Sequence, residues 1–572
     1  MVTSNQIVNA NEILAWQQVQ GPLDFCSLLF APGKAIPLMN PRPLVFIHGY
    51  SADDKAFHPL RNALLANSKL KTLGIDISYL DICSYISLNN EITIKDIAEG
   101  LDRAFRFDPQ LNAKYDMQSC EFDAIVHSTG MLVLRSWLTN YGTDNRMGNS
   151  RLRRLKHLIG IAPATWGSPQ AHKGRTWLGA LVKGNRELGP DFLNAGDAVL
   201  DGLELGSKFT WDLAHFDLLG TEPYYGKSAD TPYVGIFIGN TPYAGIASVA
   251  NDPGTDGTVR WSGCGLNTRK ITVDLTRFPK DAEGKPAARR LNITPWADDR
   301  LDVPIIAVEG KSHATILSDP DPAMVDLIVD FLNVGNIGTQ SNTVTSTFDD
   351  WLTKARSYGE KGKQKMLVNP GAGTSTLSEE VHKFFGHLFG TDSDKPLDGW
   401  QQFVVHAIDE RGDGVSDYLL DVLRLENGQD VPFQEMYTDV HVYRADPSYR
   451  CFHIRLPQGI SAESSQIKIR VHASSGTEII GYQGYKDMQP DLQPARSLAG
   501  EGQPMNIDTS PVVLNIGDLG DSAASLFHPF TTTLIELRLS REPVPLQTVS
   551  KVLEFVWDSR TDSPDPEDAT NK

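Results

Sequence analysis

Short, continuous apolar runs recur through the first 335 residues. They occupy residues 44–47 (Leu-Val-Phe-Ile), 73–80, 122–126, 155–161, 233–239 and 303–308 (Val-Pro-Ile-Ile-Ala-Val). Runs of this length, apolar without alternation, predict strands buried on both faces of a parallel sheet. Between them apolar residues return at helical spacing. Residues 56–65 carry Phe57, Leu60, Leu64 and Leu65, and residues 93–105 place Ile94, Ile97, Ala98, Leu101 and Phe105 on one face behind Thr93 as an N-cap. Met131, Leu134, Trp137 and Leu138 repeat the pattern after Gly130, and 323–332 supplies a closing helix. Strand alternating with helix predicts an α/β architecture, a parallel sheet with helices on both faces.

That rhythm breaks at about 170–232, a helical, glycine-punctuated insertion rich in large apolar residues such as Trp177, Phe209 and Trp211. Its apolar surface could serve an acyl chain or simply pack the insertion onto the core. Residues 336–397 read as a linker with a helical segment at 348–358 that carries Trp351, Leu352 and Ala355. From 398 to 557 the pattern becomes short runs at 402–407, 418–425, 440–443, 451–456, 467–471, 511–516, 533–539 and 552–557. This predicts a mainly β, sandwich-like region. Residues 558–572, acidic and Pro/Ser-bearing, are expected to be disordered.

At 572 residues the chain exceeds one ordinary core, so more than one domain is expected. Its net charge of -18 argues against a nucleic-acid partner, which needs a basic surface. The five cysteines (Cys26, Cys83, Cys120, Cys264 and Cys451) are odd in number and none form a C-x-x-C pair, so neither a disulfide framework nor a zinc site is expected. Residues 1–20 lack a basic start followed by an apolar core, and no apolar run is long enough for a membrane span. A cytoplasmic location is the expectation, with export lacking a cleaved signal left open. Oligomeric state is not legible.

The chemistry centres on residues 124–130. The strand Ala124-Ile125-Val126 runs into His127-Ser128-Thr129-Gly130, and a helix follows. A sharp strand-to-helix turn there would hold the Ser128 hydroxyl out as a nucleophile, whereas the plainer reading is an ordinary loop serine. The stretch resembles the α/β-hydrolase superfamily, and within it the lipases and esterases that carry a His before the nucleophilic Ser. The family pattern G-x-S-x-G reads here Val126-His127-Ser128-Thr129-Gly130, with Val126 where the family has a small residue. The resemblance covers about residues 40–335. A Gly167-Ser168-Pro169 turn after the strand at 155–161 is also similar to many lipases.

Carried onto this sequence, the resemblance implies an α/β-hydrolase core with a cap insertion. The strand ending in His48-Gly49 would present the Tyr50 amide to an oxyanion, and the Thr129 amide would be the second donor. Each such donor lowers the barrier by about 3 kcal/mol. Asp256-Gly257-Thr258-Val259 resembles the acid-bearing loop of lipases and lecithin–cholesterol acyltransferase-like enzymes; it implies Asp256 as the acid, with Asp252 as a rival. His313, just beyond the last core strand, would be the base. The order Ser, Asp, His is that of the superfamily.

The expected function is therefore a serine carboxylic-ester hydrolase acting on small-molecule or lipid acyl esters, with no metal or organic cofactor and with transient contact to a lipid surface possible. Two rivals stand beside it. One is an acyltransferase using the same triad; the other is a non-enzymatic binding protein on a hydrolase scaffold, for which Val126 is the support.

Overall fold

The computed structural model describes residues 42–48, 57–73, 75–80, 90–141, 151–171, 196–220, 224–226, 230–243, 252–276, 291–293, 303–335, 347–368, 397–433, 436–474, 480–483, 512–517 and 526–543. In chain order the first half gives β1 (Arg42–Ile47), α1 (His58–Ala66), α2 (Ser68–Thr72), β2 (Ile75–Leu80), α3 (Ile94–Phe107), α4 (Pro109–Tyr115), β3 (Phe122–His127) and α5 (Gly130–Tyr141). It continues with α6 (Arg151–Arg154), β4 (Leu155–Ile161), α7 (Asp197–Leu203), α8 (Lys208–Asp217), β5 (Tyr233–Gly239), β6 (Thr268–Asp274), β7 (Leu291–Ile293), β8 (Ile305–Val308), α9 (Thr315–Ser318), α10 (Pro322–Leu332) and α11 (Phe348–Val368).

Six of these strands form one parallel sheet in the order β2-β1-β3-β4-β5-β8. Their apolar runs are buried because helices cover the sheet. α3 starts as its sequence implies: the Thr93 side chain accepts from the Asp96 amide, and the Asp96 carboxylate accepts from the Thr93 amide. Its face of Ile94, Ile97, Ala98, Leu101 and Phe105 is buried. In the sheet Val126 stands in register beside Gly160 of β4. The space a side chain at 160 would need is filled by Met131, Pro163 and Ile236, and Val126 itself is fully buried.

At the opposite end of the sheet Asp123 joins three elements. Its carboxylate accepts from Arg42 Nε at 2.7 Å and lies 2.7 Å from His157 Nδ1, while Arg42 Nη2 and His157 Nε2 reach the carbonyls of Leu332 and Val334. The chain leaving α10 is thereby tied to β1, β3 and β4.

The second half adds β9 (Leu397–Asp409), β10 (Asp417–Glu426), β11 (Gln429–Pro432), β12 (Tyr437–Val442), β13 (Tyr449–Pro457), β14 (Ile467–Ser474), β15 (Ile480–Gln483), β16 (Val512–Asn515) and β17 (Thr531–Pro543). These run β11-β10-β14-β15-β17-β9-β13-β12, mostly antiparallel, with β16 on β14. β6, from the first half of the chain, pairs parallel with β17 and carries β7 on its other edge. Period-two alternation gives β9 two apolar faces. Trp400 and Val404 belong to the core of the parallel sheet, while Phe403, Val405 and Ala407 belong to a second core with Tyr418, Phe452, Val471 and Ile535.

The helix read at 348–358 extends to Val368. Trp351, Ala355 and Met366 bury in the core of the parallel sheet, so this stretch is a core helix rather than part of a linker. Tyr50, residues 172–195 of the insertion, 336–346, 369–396 and 544–572 lie outside the described residues.

Candidate active site

Ser128 follows the last residue of β3 with φ +52°, in the left-handed region that costs a non-glycine residue energy. The surrounding turn holds it there. The Ser128 amide donates to the Ile161 carbonyl at 3.4 Å, and the Ser128 carbonyl accepts from the amides of Ala164 at 3.0 Å and Met131 at 3.3 Å. Gly130 is required for close approach: a Cβ there would stand 2.4 Å from the Ile47 carbonyl oxygen of β1. Strand, strained serine and helix form the sharp turn that lifts a hydroxyl above a parallel sheet. Thr129 is buried at the start of α5, and among the described residues its amide has no acceptor.

Asp256 sits fully buried in the loop after β5. Its Oδ1 accepts from the amides of Thr258 at 3.0 Å and Val259 at 2.8 Å, and its Oδ2 lies 3.0 Å from His313 Nδ1. The two residues also join through main chain, the His313 amide donating to the Asp256 carbonyl at 2.9 Å. Asp252 is not brought to His313; its Oδ2 lies 3.4 Å from Gln170 Nε2. Of the two acids, Asp256 therefore meets the histidine.

Two flanks brace the acid loop. On one, the segment after β4 reaches across: Thr165 Oγ1 donates to the Cys264 carbonyl, Trp166 Nε1 to that of Gly265, and Ser168 Oγ to that of Thr258. On the other lies the second sheet. Arg260, fully buried, donates to the Asp439 carboxylate of β12 and to Cys451 Sγ of β13. Thr532 Oγ1 of β17 donates to the Ser262 carbonyl. Gly254, at φ +73°, sits flat against Trp400 and His453, with no room for a Cβ. None of these contacts is legible from local sequence, because each joins segments 90 or more residues apart.

Three imidazoles, His48, His127 and His313, cluster at the end of β3 beside Ser128's neighbour in the chain. The His127 ring lies 4.7 Å from that of His313 and 5.4 Å from that of His48, and His127 Nε2 is 3.2 Å from the His313 carbonyl oxygen. Burial first, then the neighbouring His313 and His48, push the His127 ring well below the ordinary histidine pKa, so it is neutral. Ser128 is thus one residue from a side chain that touches His313. Among the described residues no hydrogen bond joins Ser128 Oγ to His313. The structure brings Asp256 and His313 into contact and sets Ser128 beside His127. Tyr50 is outside the described residues.

The fold is that of the α/β-hydrolases, a parallel sheet with covering helices, with a mainly β region in the second half. Among solved structures, the chain is similar to the phospholipase PlaB of Legionella pneumophila at 20% identity and a TM-score of 0.58, covering 91% of this chain and 97% of that one. The same phospholipase in complex with thio-NAD matches at 19% identity and a TM-score of 0.59 over the same shares. No protein-family model and no curated protein sequence matches the chain. Among the described residues no helix is long and apolar enough to cross a membrane.

Proposed function

We propose that the chain is a serine carboxylic-ester hydrolase that cleaves acyl esters of lipids, phospholipids included. Ser128 is the nucleophile, His313 the base and Asp256 the acid. The observation that carries this reading is the buried Asp256–His313 pair at 3.0 Å, together with a serine held at positive φ one residue from His127, which bonds to His313. The two amides that Asp256 Oδ1 accepts stabilise its charge, and Oδ2 is left to orient the imidazole. The likeness to a phospholipase over nearly the whole of both chains supports a lipid ester over a small acetyl ester.

In this mechanism His313 Nε2 takes the Ser128 proton as Oγ bonds to the acyl carbon. The carbonyl oxygen becomes an oxyanion stabilised by the Thr129 amide, with the Tyr50 amide as the second donor that the α/β-hydrolase resemblance implies. The intermediate collapses with loss of the ester's alcohol, which receives that proton from His313, and an acyl-serine remains. Water then attacks the acyl carbon, its proton passes to His313, and the fatty acid leaves as the proton returns to Ser128. The chain's own residues supply every proton transfer in this sequence.

Hydrolysis of p-nitrophenyl esters from acetyl to palmitoyl, and of phosphatidylcholine, tests the reading with wild type beside Ser128→Ala. Release of fatty acid that disappears in the variant is expected. Equal rates in the two proteins would exclude Ser128 as the nucleophile.

A further inference from the structure

His313 is fixed at three points. Its amide and its ring Nδ1 both attach to Asp256, at 2.9 and 3.0 Å. Those two bonds set the base relative to the acid loop and say nothing about its distance from the nucleophile. The third bond runs from the His313 carbonyl to His127 Nε2 at 3.2 Å, on the strand that carries Ser128.

The His127 ring is an unusual group to bury here. It lies at the end of β3 and is almost fully buried between the edges of His48, Phe57 and His313. A carbonyl oxygen only accepts, so Nε2 carries the ring's proton and Nδ1 holds the lone pair. That Nδ1 is buried, and among the described residues it has no partner. An apolar ring would fill the same space without leaving a polar atom unsatisfied. The polar atom that does find a partner is the one aimed at the base.

We propose that His127 is the positioning residue for the base: its Nε2–H, donated to the His313 carbonyl, spaces His313 from Ser128 through the single chain step between His127 and Ser128. This rests on the assignment of Ser128 and His313 made above. The device is short and stiff. Ser128 cannot turn away from His127, because its left-handed backbone is pinned by the Ile161 carbonyl and the Ala164 amide. The imidazole is locked in one tautomer and one protonation state, so the strut keeps its length while His313 gains and loses a proton.

The test compares wild type, Ser128→Ala, His127→Phe and His127→Gln in hydrolysis of p-nitrophenyl butyrate. Each variant is first shown to be folded by circular dichroism, and the rate of fluorophosphonate labelling is measured in parallel. Phe keeps the ring and loses the donor; Gln restores an amide N–H near the position of Nε2. Misplacement of a base by a fraction of an ångström predicts a kcat lower by about 10–100-fold in His127→Phe, with KM within about twofold of wild type and labelling slowed in step. His127→Gln recovers most of kcat. If His127→Phe does not fold, His127→Leu takes its place in the comparison with Gln. A folded apolar variant with wild-type kcat, or a Gln variant as slow as the apolar one, overturns the strut while a dead Ser128→Ala leaves the catalytic reading standing. A Ser128→Ala variant with full activity removes both.

Discussion

The guanidinium of Arg135 clasps both carboxylate oxygens of Asp217, at 2.7 and 2.9 Å, and neither side chain is exposed. Arg135 lies on α5, the helix that starts beside Ser128; Asp217 ends α8 in the insertion. Arg135 Nη1 also donates to the Thr165 carbonyl, and Tyr225 donates its hydroxyl to Asp217. This network fastens the described part of the insertion to the helix behind the serine. Removing one member strands a buried charge, which costs about 3–5 kcal/mol. Asp217→Ala should lower the urea midpoint accordingly, and the double variant Arg135→Met/Asp217→Leu should lose less than Asp217→Ala alone. A neutral Asp217→Ala would show that the charge escapes to water.

The acid assignment separates two carboxylates four residues apart in sequence. Asp256→Asn keeps the shape of the loop but presents the wrong partner to His313 Nδ1, and kcat should fall by about 10⁴-fold. Asp252→Asn, whose carboxylate does not reach the histidine, should stay close to wild type. Steady-state kinetics on a p-nitrophenyl ester distinguishes them, and the reverse ranking would move the acid to Asp252.

Much of the first sheet was legible because its strands are continuous apolar runs, and periodicity reports burial directly. The Thr93 N-cap is equally local, and the structure adds Asp96 as its capping-box partner. β6 was not legible. Thr268–Asp274 is a short polar-apolar strand whose partner, β17, begins more than 250 residues later, and no pattern in either segment names the other. α11 read as half its length because its later turns carry Lys and Glu on the exposed face, and its buried apolar side chains, Phe348, Trp351, Ala355 and Met366, are sparse in the second half. At the site, the residue types and their order pointed to Ser128, Asp256 and His313. The part played by His127 was hidden, since a hydrogen bond to a main-chain carbonyl leaves no mark in sequence.

The second sheet should matter to the chemistry through Arg260. Asp439→Ala would leave this buried guanidinium without its carboxylate, a loss of about 1.5–3 kcal/mol for a hydrogen bond to a charged group. Because Arg260 lies in the loop that carries Asp256, kcat should fall as well while KM changes little. A variant that loses stability but keeps wild-type kcat would confine the second sheet to a structural role.

Acid should unfold the protein earlier than carboxylates alone require. Burial, followed by the charges of Arg260 and Arg455, holds His453 well below the ordinary histidine pKa, and burial does the same for His127. Both rings stay neutral in the folded state, whereas the unfolded chain takes up a proton on each below about pH 6.5. Stability is therefore complete above that pH and declines as pH falls toward the folded-state values, by about 1.4 kcal/mol per pH unit for each ring. His453→Gln should reduce the slope of urea-unfolding free energy between pH 6.5 and 5 by one such increment. An unchanged slope would mean that His453 is protonated in the folded protein.

The central claim is that Ser128 is a nucleophile activated by His313, and the most direct measurement is covalent. Wild-type protein treated with a fluorophosphonate at neutral pH, then digested and mapped by mass spectrometry, should carry one adduct on Ser128. His313→Ala should label far more slowly and Ser128→Ala not at all. An adduct on another residue, or labelling of Ser128→Ala at the wild-type rate, would contradict the account.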